Sequence, residues 1–228
     1  MKRFALRPHL TGDFGRLTWL QFCIKYRLGL KIKRGVWSME VASLEAMIGE
    51  VLRFRQNNSI RIVEFGSGAS TLVLDKLLPR HFADFALVSF ESDPAYLADL
   101  RKELRVDSRV SVCLAPLAPL ARHRSPAESA IWYDEKLVAS AVDSLARVDL
   151  AVIDGPPDTV CQFSRWPAFE AIQHRLTPTS IVFLHDTSRV QERLLAASQQ
   201  PFFFEWEAHE FGLGYSVLRF PREPKDGG

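Results

Sequence analysis

Short apolar segments alternate with segments of helical periodicity along most of the chain. The apolar segments span residues 61–65, 86–90, 109–113, 149–154 and 180–186. Segments with apolar residues at helical spacing follow at about 70–79, 94–105, 135–146, 164–175 and 188–199. This alternation is typical of βαβ units, and it predicts an α/β fold with a parallel sheet covered by helices on both faces.

The pattern changes at both ends of this region. Before the first strand, residues 38–56 place apolar side chains at helical spacing, with Ser38 as the expected N-cap and Glu40 in the first turn. After the last helix, residues 201–210 and 212–220 form two strand-like segments with no helix between them. The sequence therefore predicts five βα units followed by a closing antiparallel β-hairpin.

Composition and charge divide the chain into a body and a basic leader. The 228 residues are 47% hydrophobic and 25% charged, which is typical of one globular domain. We expect a basic amphipathic extension at 1–37, a main domain at 38–220 and a disordered tail at 221–228. Residues 1–35 carry nine Lys/Arg and one acid, Asp13, so their net charge is +8 while the whole chain is +2. Such a leader could lie on an anionic membrane surface, act as a lid, or pack on the domain with its cations solvated.

The cysteines and the start of the chain bear on its location. Cys23, Cys113 and Cys161 are widely spaced and form no CxxC pair, which favours neither a zinc site nor a disulfide framework. A reducing compartment such as the cytoplasm fits best. The basic start is not followed by the apolar segment of a signal peptide, and no run of about 18 apolar residues predicts a membrane span.

The first strand runs into a glycine-rich turn, in the sequence "EFGSGAST". A dinucleotide-binding turn would have a third glycine where this chain has Thr71. Glu64 precedes the first glycine by two residues, and its carboxylate would repel a pyrophosphate but suit a cationic ligand. Glu91 ends the second strand, 25 residues after Gly66. An acid at that place can accept hydrogen bonds from both hydroxyls of a ribose. A ligand with a ribose and a cationic amino-acid tail but no phosphate is S-adenosylmethionine (SAM).

Four segments resemble motifs of the class I SAM-dependent methyltransferases: "VEFGSGAST", "SFESDP", "DLAVIDGPP" and "VFLHDTSR". The resemblance covers about residues 38–220. It implies a three-layer Rossmann-like fold whose mostly parallel seven-stranded sheet ends in an antiparallel strand, in agreement with the hairpin predicted above.

The resemblance also assigns cofactor-binding residues. The glycine turn would line the methionine end of SAM, Glu91 would hold the ribose, the loops after the second and third strands would flank the adenine, and Asp154 would lie near the sulfonium. In full, the expected residues are Glu64, Gly66, Ser67, Gly68, Ser70, Thr71, Glu91, Ser92, Ala115, Pro116 and Asp154.

Two acids at neighbouring strand ends raise the question of a metal. Asp154 and Asp186 follow adjacent predicted strands, so two carboxylates there could share Mg²⁺ or Mn²⁺. The arrangement is similar to catechol-type and some sugar O-methyltransferases. Thr187 and Pro157 depart from the pattern of that group, which often has Asn or Asp at the first position and a lysine base at the second. Asp186 could instead cap the next helix.

Three further residues complete the expected catalytic centre. His185 is the leading candidate for a general base, although strand alternation would direct it away from Asp186. Arg165 and Trp166 could hold an anionic or sugar substrate, or Arg165 could be a solvated arginine at a helix start. Weaker candidates for the base are Asp158, His209 and Tyr133.

The sequence thus predicts a SAM-dependent methyltransferase that acts on a hydroxyl of a small molecule or saccharide, with a divalent cation as a possible aid. Nucleic-acid substrates are disfavoured, because "DGPP" stands where amino-directed DNA methyltransferases have a DPPY-type tetrad, and because the body is acidic. Nothing in the sequence excludes methyl transfer to an amine or a carboxylate instead, and two alternatives to a methyltransferase stay open at this point. One is an NAD-dependent oxidoreductase, and the other is a SAM-binding partner module without turnover.

Overall fold

The computed structural model describes residues 13–28, 39–105, 107–120, 126–127, 130–199, 205–209 and 212–219. Its strands are β1 (Ser59–Phe65), β2 (Asp84–Glu91), β3 (Val110–Leu114), β4 (Leu117–Pro119), β5 (Ile131–Tyr133), β6 (Val148–Ile153), β7 (Leu176–His185), β8 (Glu205–His209) and β9 (Tyr215–Arg219). Its α-helices are α1 (Asp13–Lys25), α2 (Val41–Arg53), α3 (Ala69–His81), α4 (Pro94–Glu103), α5 (Glu135–Asp143), α6 (Pro167–Ile172) and α7 (Val190–Ser198). Short 3₁₀ turns follow α2 at Phe54–Asn57 and α6 at Gln173–Arg175.

Seven strands form one sheet in the order β3-β2-β1-β6-β7-β9-β8. The β1–β2, β1–β6, β2–β3 and β6–β7 pairs are parallel, and β9 runs antiparallel to both of its neighbours. The predicted Rossmann-like fold, with a mostly parallel sheet and a closing hairpin, is confirmed. The chain leaves β1 toward β2 on one side and returns to β6 on the other, so the switch point at which α/β sheets bind ligands lies between β1 and β6.

The sheet is buried between two apolar layers, which explains why its central strands are nearly continuous apolar runs. All six residues of β6 are buried. One layer contains α2 and α3 with side chains such as Met47, and the other contains Trp132 and Phe169. Full burial of each such side chain contributes about 1.5–3 kcal/mol. The two layers fix the strand ends from which the candidate site is built.

Helix α2 begins later than the sequence predicts. Its N-cap is Glu40, in an extended conformation, and Ser38 lies outside the described residues. The carboxylate of Glu40 makes no capping hydrogen bond to α2 and instead accepts one from the backbone nitrogen of Leu213, at 3.2 Å. This side chain therefore joins the start of the domain to the turn of the C-terminal hairpin.

The small sheet formed by β4 and β5 was not predicted. Each strand has three residues, which is too short for a recognisable two-residue period, and Pro119 ends the first of them. The hairpin nevertheless has a structural role. It brings Trp132 and Tyr133 against Phe65 of β1, with ring centroids at 5.4 and 6.2 Å.

Helix α1 packs on the domain. Phe22 and Cys23 are buried in the core layer that contains α2, and Lys25 pairs with Glu45 of α2 at 2.9 Å. For residues 13–28 the packing alternative of the sequence analysis is therefore the one observed. The predicted contact of residues 1–35 with an anionic surface stays a prediction, since residues 1–12 and 29–35 lie outside the described residues. The division into segments at 37 and 220 also stays a prediction.

No helix in the described part of the chain is both long and apolar enough to cross a membrane. The three cysteines are free.

Candidate active site

Two glycines bring the ends of β1 and β6 together. Gly66 has φ +94°, and a Cβ atom on it would lie 2.9 Å from the backbone nitrogen of Gly155. A Cβ atom on Gly155 would lie 2.8 Å from the Cα of Gly66 and 2.5 Å from the hydroxyl of Tyr133. Neither position has room for a side chain. The first glycine of the turn is thus required by the backbone itself, whatever ligand it also contacts.

Glu64, at the end of β1, is the buried acid of this turn. Its Oε2 accepts hydrogen bonds from Thr71 Oγ1 and Ser89 Oγ, both at 2.6 Å, while its Oε1 is buried and has no hydrogen-bond partner within the described residues. Burial raises the pKa of Glu64 to about 7, against the lowering effect of hydrogen bonds from hydroxyl groups. An unpartnered carboxylate oxygen here fits a cationic ligand group, which would pair with it and favour its ionised form.

The small polar residues of the turn hold its shape. Thr71 Oγ1 accepts a hydrogen bond from the backbone nitrogen of Gly68, the N-cap of α3, at 2.8 Å. The hydroxyls of Ser67 and Ser89 lie 2.6 Å apart, and Ser70 is 3% exposed. Thr71 thus supplies a side-chain acceptor at the start of α3. These hydroxyls form a network around Glu64.

Glu91 ends β2 beside the glycine turn. Its Oε1 accepts hydrogen bonds from the backbone nitrogens of Ser92 and Asp93, at 2.7 and 2.8 Å, and burial raises the pKa of its carboxyl. The two backbone bonds fix the orientation of the carboxylate before any ligand binds. A preorientated, half-buried acid at this strand end suits the diol of a ribose.

Two other loops border the same region. Ala115 is fully buried, and its nitrogen donates to the backbone oxygen of Glu91 at 2.7 Å, so the loop after β3 is adjacent to the acid. Pro116 follows, with its oxygen bound to the nitrogen of Asp134 at 2.8 Å. On the other side, a Cβ atom on Gly68 would lie 3.3 Å from the hydroxyl of Tyr96. Tyr96 was not singled out from the sequence, because an aromatic residue in a first helical turn has no distinctive spacing.

Asp154, His185 and Asp186 form one cluster at the ends of β6 and β7. The Nδ1 of His185 lies 2.8 Å from Asp154 Oδ1 and 3.3 Å from Asp186 Oδ1. The expectation that His185 points away from Asp186 is wrong, because Asp186 has φ +63° and no longer continues the strand. Asp186 is not the N-cap of the next helix either, since α7 begins at Val190 with Arg189 as its N-cap.

Arg165 is the residue that the sequence analysis placed least accurately. It is 3% exposed, so it is not a solvated arginine, and its guanidinium contacts the cluster directly. Its NH2 group donates to Asp186 Oδ2 at 2.7 Å, to the Asp154 backbone oxygen at 2.8 Å and to Asp154 Oδ1 at 3.3 Å. Its NH1 group donates to the backbone oxygen of His185 at 2.8 Å. Arg165 therefore joins the ends of β6 and β7 and is already paired, which argues against a direct role in holding substrate.

Charge complementarity sets the protonation states of this cluster. Burial alone would raise the pKa of Asp154, but His185 and Arg165 together lower it. Burial alone would lower the pKa of His185, but the charges of Asp154 and Asp186 raise it. Asp154 is thus ionised and accepts from the Nδ1–H of His185. The Nε2 atom of His185 is buried and has no hydrogen-bond partner within the described residues.

The remaining candidates from the sequence have different surroundings. Trp166 is partly buried against the core and contacts Phe163 edge-on, with ring centroids 5.9 Å apart. Asp158 pairs with Arg189 at 3.4 Å. Burial raises the pKa of Tyr133 well above its usual value, which makes it a poor base. The side chain of His209 lies outside the described residues.

A divalent cation does not fit this cluster as it stands. Asp154, His185 and Asp186 offer ligand atoms within 4.8 Å of one another. However, Arg165 contacts both carboxylates, and Arg189 NH1 forms an ion pair with Asp186 Oδ2 at 2.8 Å. The two arginines offset the charges of Asp154 and Asp186, and the further acid that pairs with Arg189, Asp158, is more exposed. A metal ion would therefore add two positive charges to a buried site that is already nearly neutral.

The strand order, the single antiparallel strand and the acids at the ends of β1 and β2 define a class I SAM-dependent methyltransferase. A family model described as a methyltransferase domain matches residues 63–187, which is more than half of the chain. The chain belongs to this methyltransferase family. Its membership excludes the NAD-dependent oxidoreductase alternative. No curated protein gives a significant match to the chain.

Solved structures of other methyltransferases share the fold. The methyltransferase PaMTH1 of Podospora anserina, bound to S-adenosylhomocysteine (SAH), is 13% identical, with 97% of this chain and 100% of that chain covered and a TM-score of 0.57. Human methyltransferase-like protein 13 in complex with SAH is 16% identical, with 80% and 83% covered and a TM-score of 0.54. An O-methyltransferase from Bacillus cereus in complex with SAH is 13% identical, with 93% of each chain covered and a TM-score of 0.51. At these identities the likeness concerns the fold.

Proposed function

We propose that this enzyme transfers a methyl group from SAM to a hydroxyl group of a small molecule or saccharide. The observation that carries the proposal is the Asp154–His185 pair at the carboxyl ends of β6 and β7. Asp154 Oδ1 lies 2.8 Å from His185 Nδ1, so the neutral imidazole, which forms as the pH rises above its raised pKa, carries its proton on Nδ1 and leaves the unpartnered Nε2 as a proton acceptor. A histidine oriented by a carboxylate is a suitable general base for a hydroxyl, which loses its proton as it is methylated.

The cofactor residues of the proposal follow from the geometry. When bound, SAM supplies an electrophilic methyl group on a sulfonium, and the fold neighbours named above contain its product, SAH. The orphan Oε1 of Glu64 would take the cationic amino group, and Glu91, held by two backbone nitrogens, would take the ribose. The backbone at Gly66 and Gly68 would pass close to the methionine end.

The chain's own groups account for the proton and for alignment. The hydroxyl of the acceptor would donate to His185 Nε2, and the imidazolium formed there would be stabilised by Asp154 and Asp186. Arg165 fixes the backbone oxygens of Asp154 and His185, so both strand ends keep their relative position. Most of the rate enhancement in such a site comes from holding the reactants in line and excluding water.

Calorimetry and a transfer assay test the proposal in sequence. We expect SAH to bind the purified protein with a dissociation constant of about 1–100 µM, and NAD not to bind. We then expect transfer of tritium from methyl-labelled SAM to one or more members of a panel of phenols, catechols and free sugars. Binding of NAD, or no binding of SAH, would contradict the cofactor assignment. SAH binding without transfer to any acceptor, including amines and carboxylates, would favour the SAM-binding partner module instead.

A further inference from the structure

The cluster at the ends of β6 and β7 has the donor set of a metal site but contains a guanidinium. Its ligand atoms, from Asp154, His185 and Asp186, lie within 4.8 Å of one another. One nitrogen of Arg165 lies 2.7 Å from a carboxylate oxygen of Asp186 and 3.3 Å from one of Asp154. A single positively charged group thus bridges the two carboxylates.

The position of Arg165 is fixed by more than charge. The same guanidinium donates to the backbone oxygens of Asp154 and His185, both at 2.8 Å. The side chain of Arg165 is 4% exposed, against 14% for Asp154 and 5% for Asp186. A planar group with several fixed donors can satisfy two carboxylates and two carbonyl groups at once, which a lysine could not do in the same geometry.

Formal charge favours this arrangement over a metal ion. Asp154 and Asp186 carry two negative charges, and Arg165 and Arg189 carry two positive charges that lie within 3.3 Å of them. Asp158 adds one negative charge at 3.4 Å from Arg189, but its side chain is 38% exposed and so is partly compensated by solvent. Buried Glu192 could add one negative charge, but burial raises the pKa of its carboxyl. A divalent cation would therefore enter a cluster that is already neutral or nearly so, at a large desolvation cost.

We propose that Arg165 takes the place of a divalent cation between Asp154 and Asp186, so that the enzyme binds no metal there and works without one. The guanidinium supplies a single fixed charge and holds the two strand ends. It cannot coordinate the acceptor hydroxyl as a metal would, so removal of the proton is left to His185. This inference deepens the proposed function in its catalytic part, but the occupancy of the cluster can be tested without any acceptor.

Removal of the guanidinium should uncover the metal site. We expect wild-type protein freed of metals with EDTA to bind Mn²⁺ more weakly than about 1 mM, as measured by the paramagnetic resonance signal of the free ion. Arg165→Gln removes the charge and should bind Mn²⁺ at least about tenfold more tightly, because no guanidinium then bridges Asp154 and Asp186, although Arg189 still pairs with Asp186. Mn²⁺ should also raise the melting temperature of Arg165→Gln and leave that of the wild type unchanged.

Matched variants distinguish this effect from a general loss of positive charge. Arg165→Lys keeps a cation and should gain no Mn²⁺ binding. Arg147→Gln removes an arginine that is paired with one carboxylate, Asp149 at 2.7 Å, and should gain none either. Adding Asp186→Asn to Arg165→Gln should abolish the gained binding.

Three outcomes would overturn the inference. They are micromolar Mn²⁺ binding by the wild type, transfer activity of the wild type that EDTA abolishes and Mg²⁺ restores, and an Arg165→Gln protein that folds but gains no Mn²⁺ binding. If Arg165→Gln fails to fold, the wild-type titration decides alone. Failure of the methyl-transfer proposal would appear as absent SAH binding, which is a separate measurement.

Discussion

The candidate active site of this chain is built mainly from buried ionisable residues. Glu64 and the cluster around Arg165 are inaccessible to solvent or nearly so, yet within the described residues Glu64 leaves one buried polar atom without a hydrogen-bond partner and the cluster leaves three, Arg165 Nε, His185 Nε2 and Asp186 Oδ1. Such atoms are costly to bury. These atoms lie at the strand ends where a cofactor and an acceptor would supply hydrogen-bond partners. Because binding would remove the free-energy cost of leaving them unpartnered, that cost favours binding.

Glu64 gives a prediction about stability and pH. Its pKa rises from 4.5 to about 7 on folding, so the stability that it contributes is fully present below pH 4.5 and is lost as pH rises through 7. Glu64→Gln removes this dependence. Between pH 5 and pH 8 the unliganded wild type should lose about 2–3 kcal/mol relative to Glu64→Gln in chemical denaturation. The exposed control Glu135→Gln should run parallel to the wild type, and parallel curves for Glu64→Gln would contradict the prediction.

His185 gives a prediction about catalysis. If its Nε2 accepts the proton of the acceptor, His185→Gln should lower kcat by about 100-fold or more while the affinity for SAH stays the same. The control is His174→Gln, because His174 also pairs with an aspartate, Asp143 at 2.8 Å, but on the exposed surface. Equal kcat for His185→Gln and the wild type, measured with the acceptor found in the transfer assay, would remove His185 from the reaction.

At the scale of elements, the glycine turn is defined by contact between two backbones. The third glycine of a dinucleotide turn is absent, and Thr71 uses its hydroxyl to connect Gly68 to Glu64 instead. The close approach of Gly66 and Gly155 then joins the loop after β1 to the loop after β6. The turn therefore depends on a partner loop almost ninety residues later in the chain.

Gly66→Ala tests this contact. The substitution places a side chain at φ +94° and 2.9 Å from a backbone nitrogen, which should destabilise the protein by about 3 kcal/mol or more in denaturant unfolding. Gly49→Ala is the control, because Gly49 lies in α2 with no atom within 4 Å of the added Cβ. It should stabilise the protein by about 0.5–1 kcal/mol. Similar effects of the two substitutions would show that the backbone contact is unimportant.

The sequence predicted the elements well where a hydrophobic pattern extends over many residues. It predicted them poorly where the structure depends on contacts between residues that are far apart in the chain. The main strands and helices lie within a few residues of their expected bounds, because burial on both sides of the sheet leaves a clear apolar pattern. The three-residue strands β4 and β5 leave no such pattern. The proximity of Asp154 and Asp186 was predicted from strand ends alone, whereas His185 was expected to point away from Asp186 and instead lies 3.3 Å from it. The role of Arg165 was not predicted, because nothing in "FSRWPAFEAI" shows that this side chain donates a hydrogen bond to the end of β7.

At the scale of the whole molecule, the C-terminal strand is fixed to the helix that precedes the sheet. Arg219 of β9 pairs with Glu50 of α2 at 2.6 Å, and both side chains are almost fully buried. Arg219→Met leaves the acid without this partner and should cost about 2–4 kcal/mol in denaturant unfolding. Lys102→Met, which breaks an exposed pair with Asp99, should cause little change. Equal losses of stability in the two variants would mean that the buried pair stabilises the protein no more than the exposed pair does.

The strand order also has a consequence for biosynthesis. β9 is the last strand of the sheet to leave the ribosome, yet it lies between β7 and β8. Until it emerges, β7 presents an unpaired edge and β8 has no neighbour with which to form hydrogen bonds. At translation speeds of about 5–20 residues per second, this open edge persists for a few seconds on every nascent chain. During that interval the edge of β7 is exposed to edge-to-edge pairing with neighbouring chains on a polysome, and pairing with β9 ends this exposure of β7.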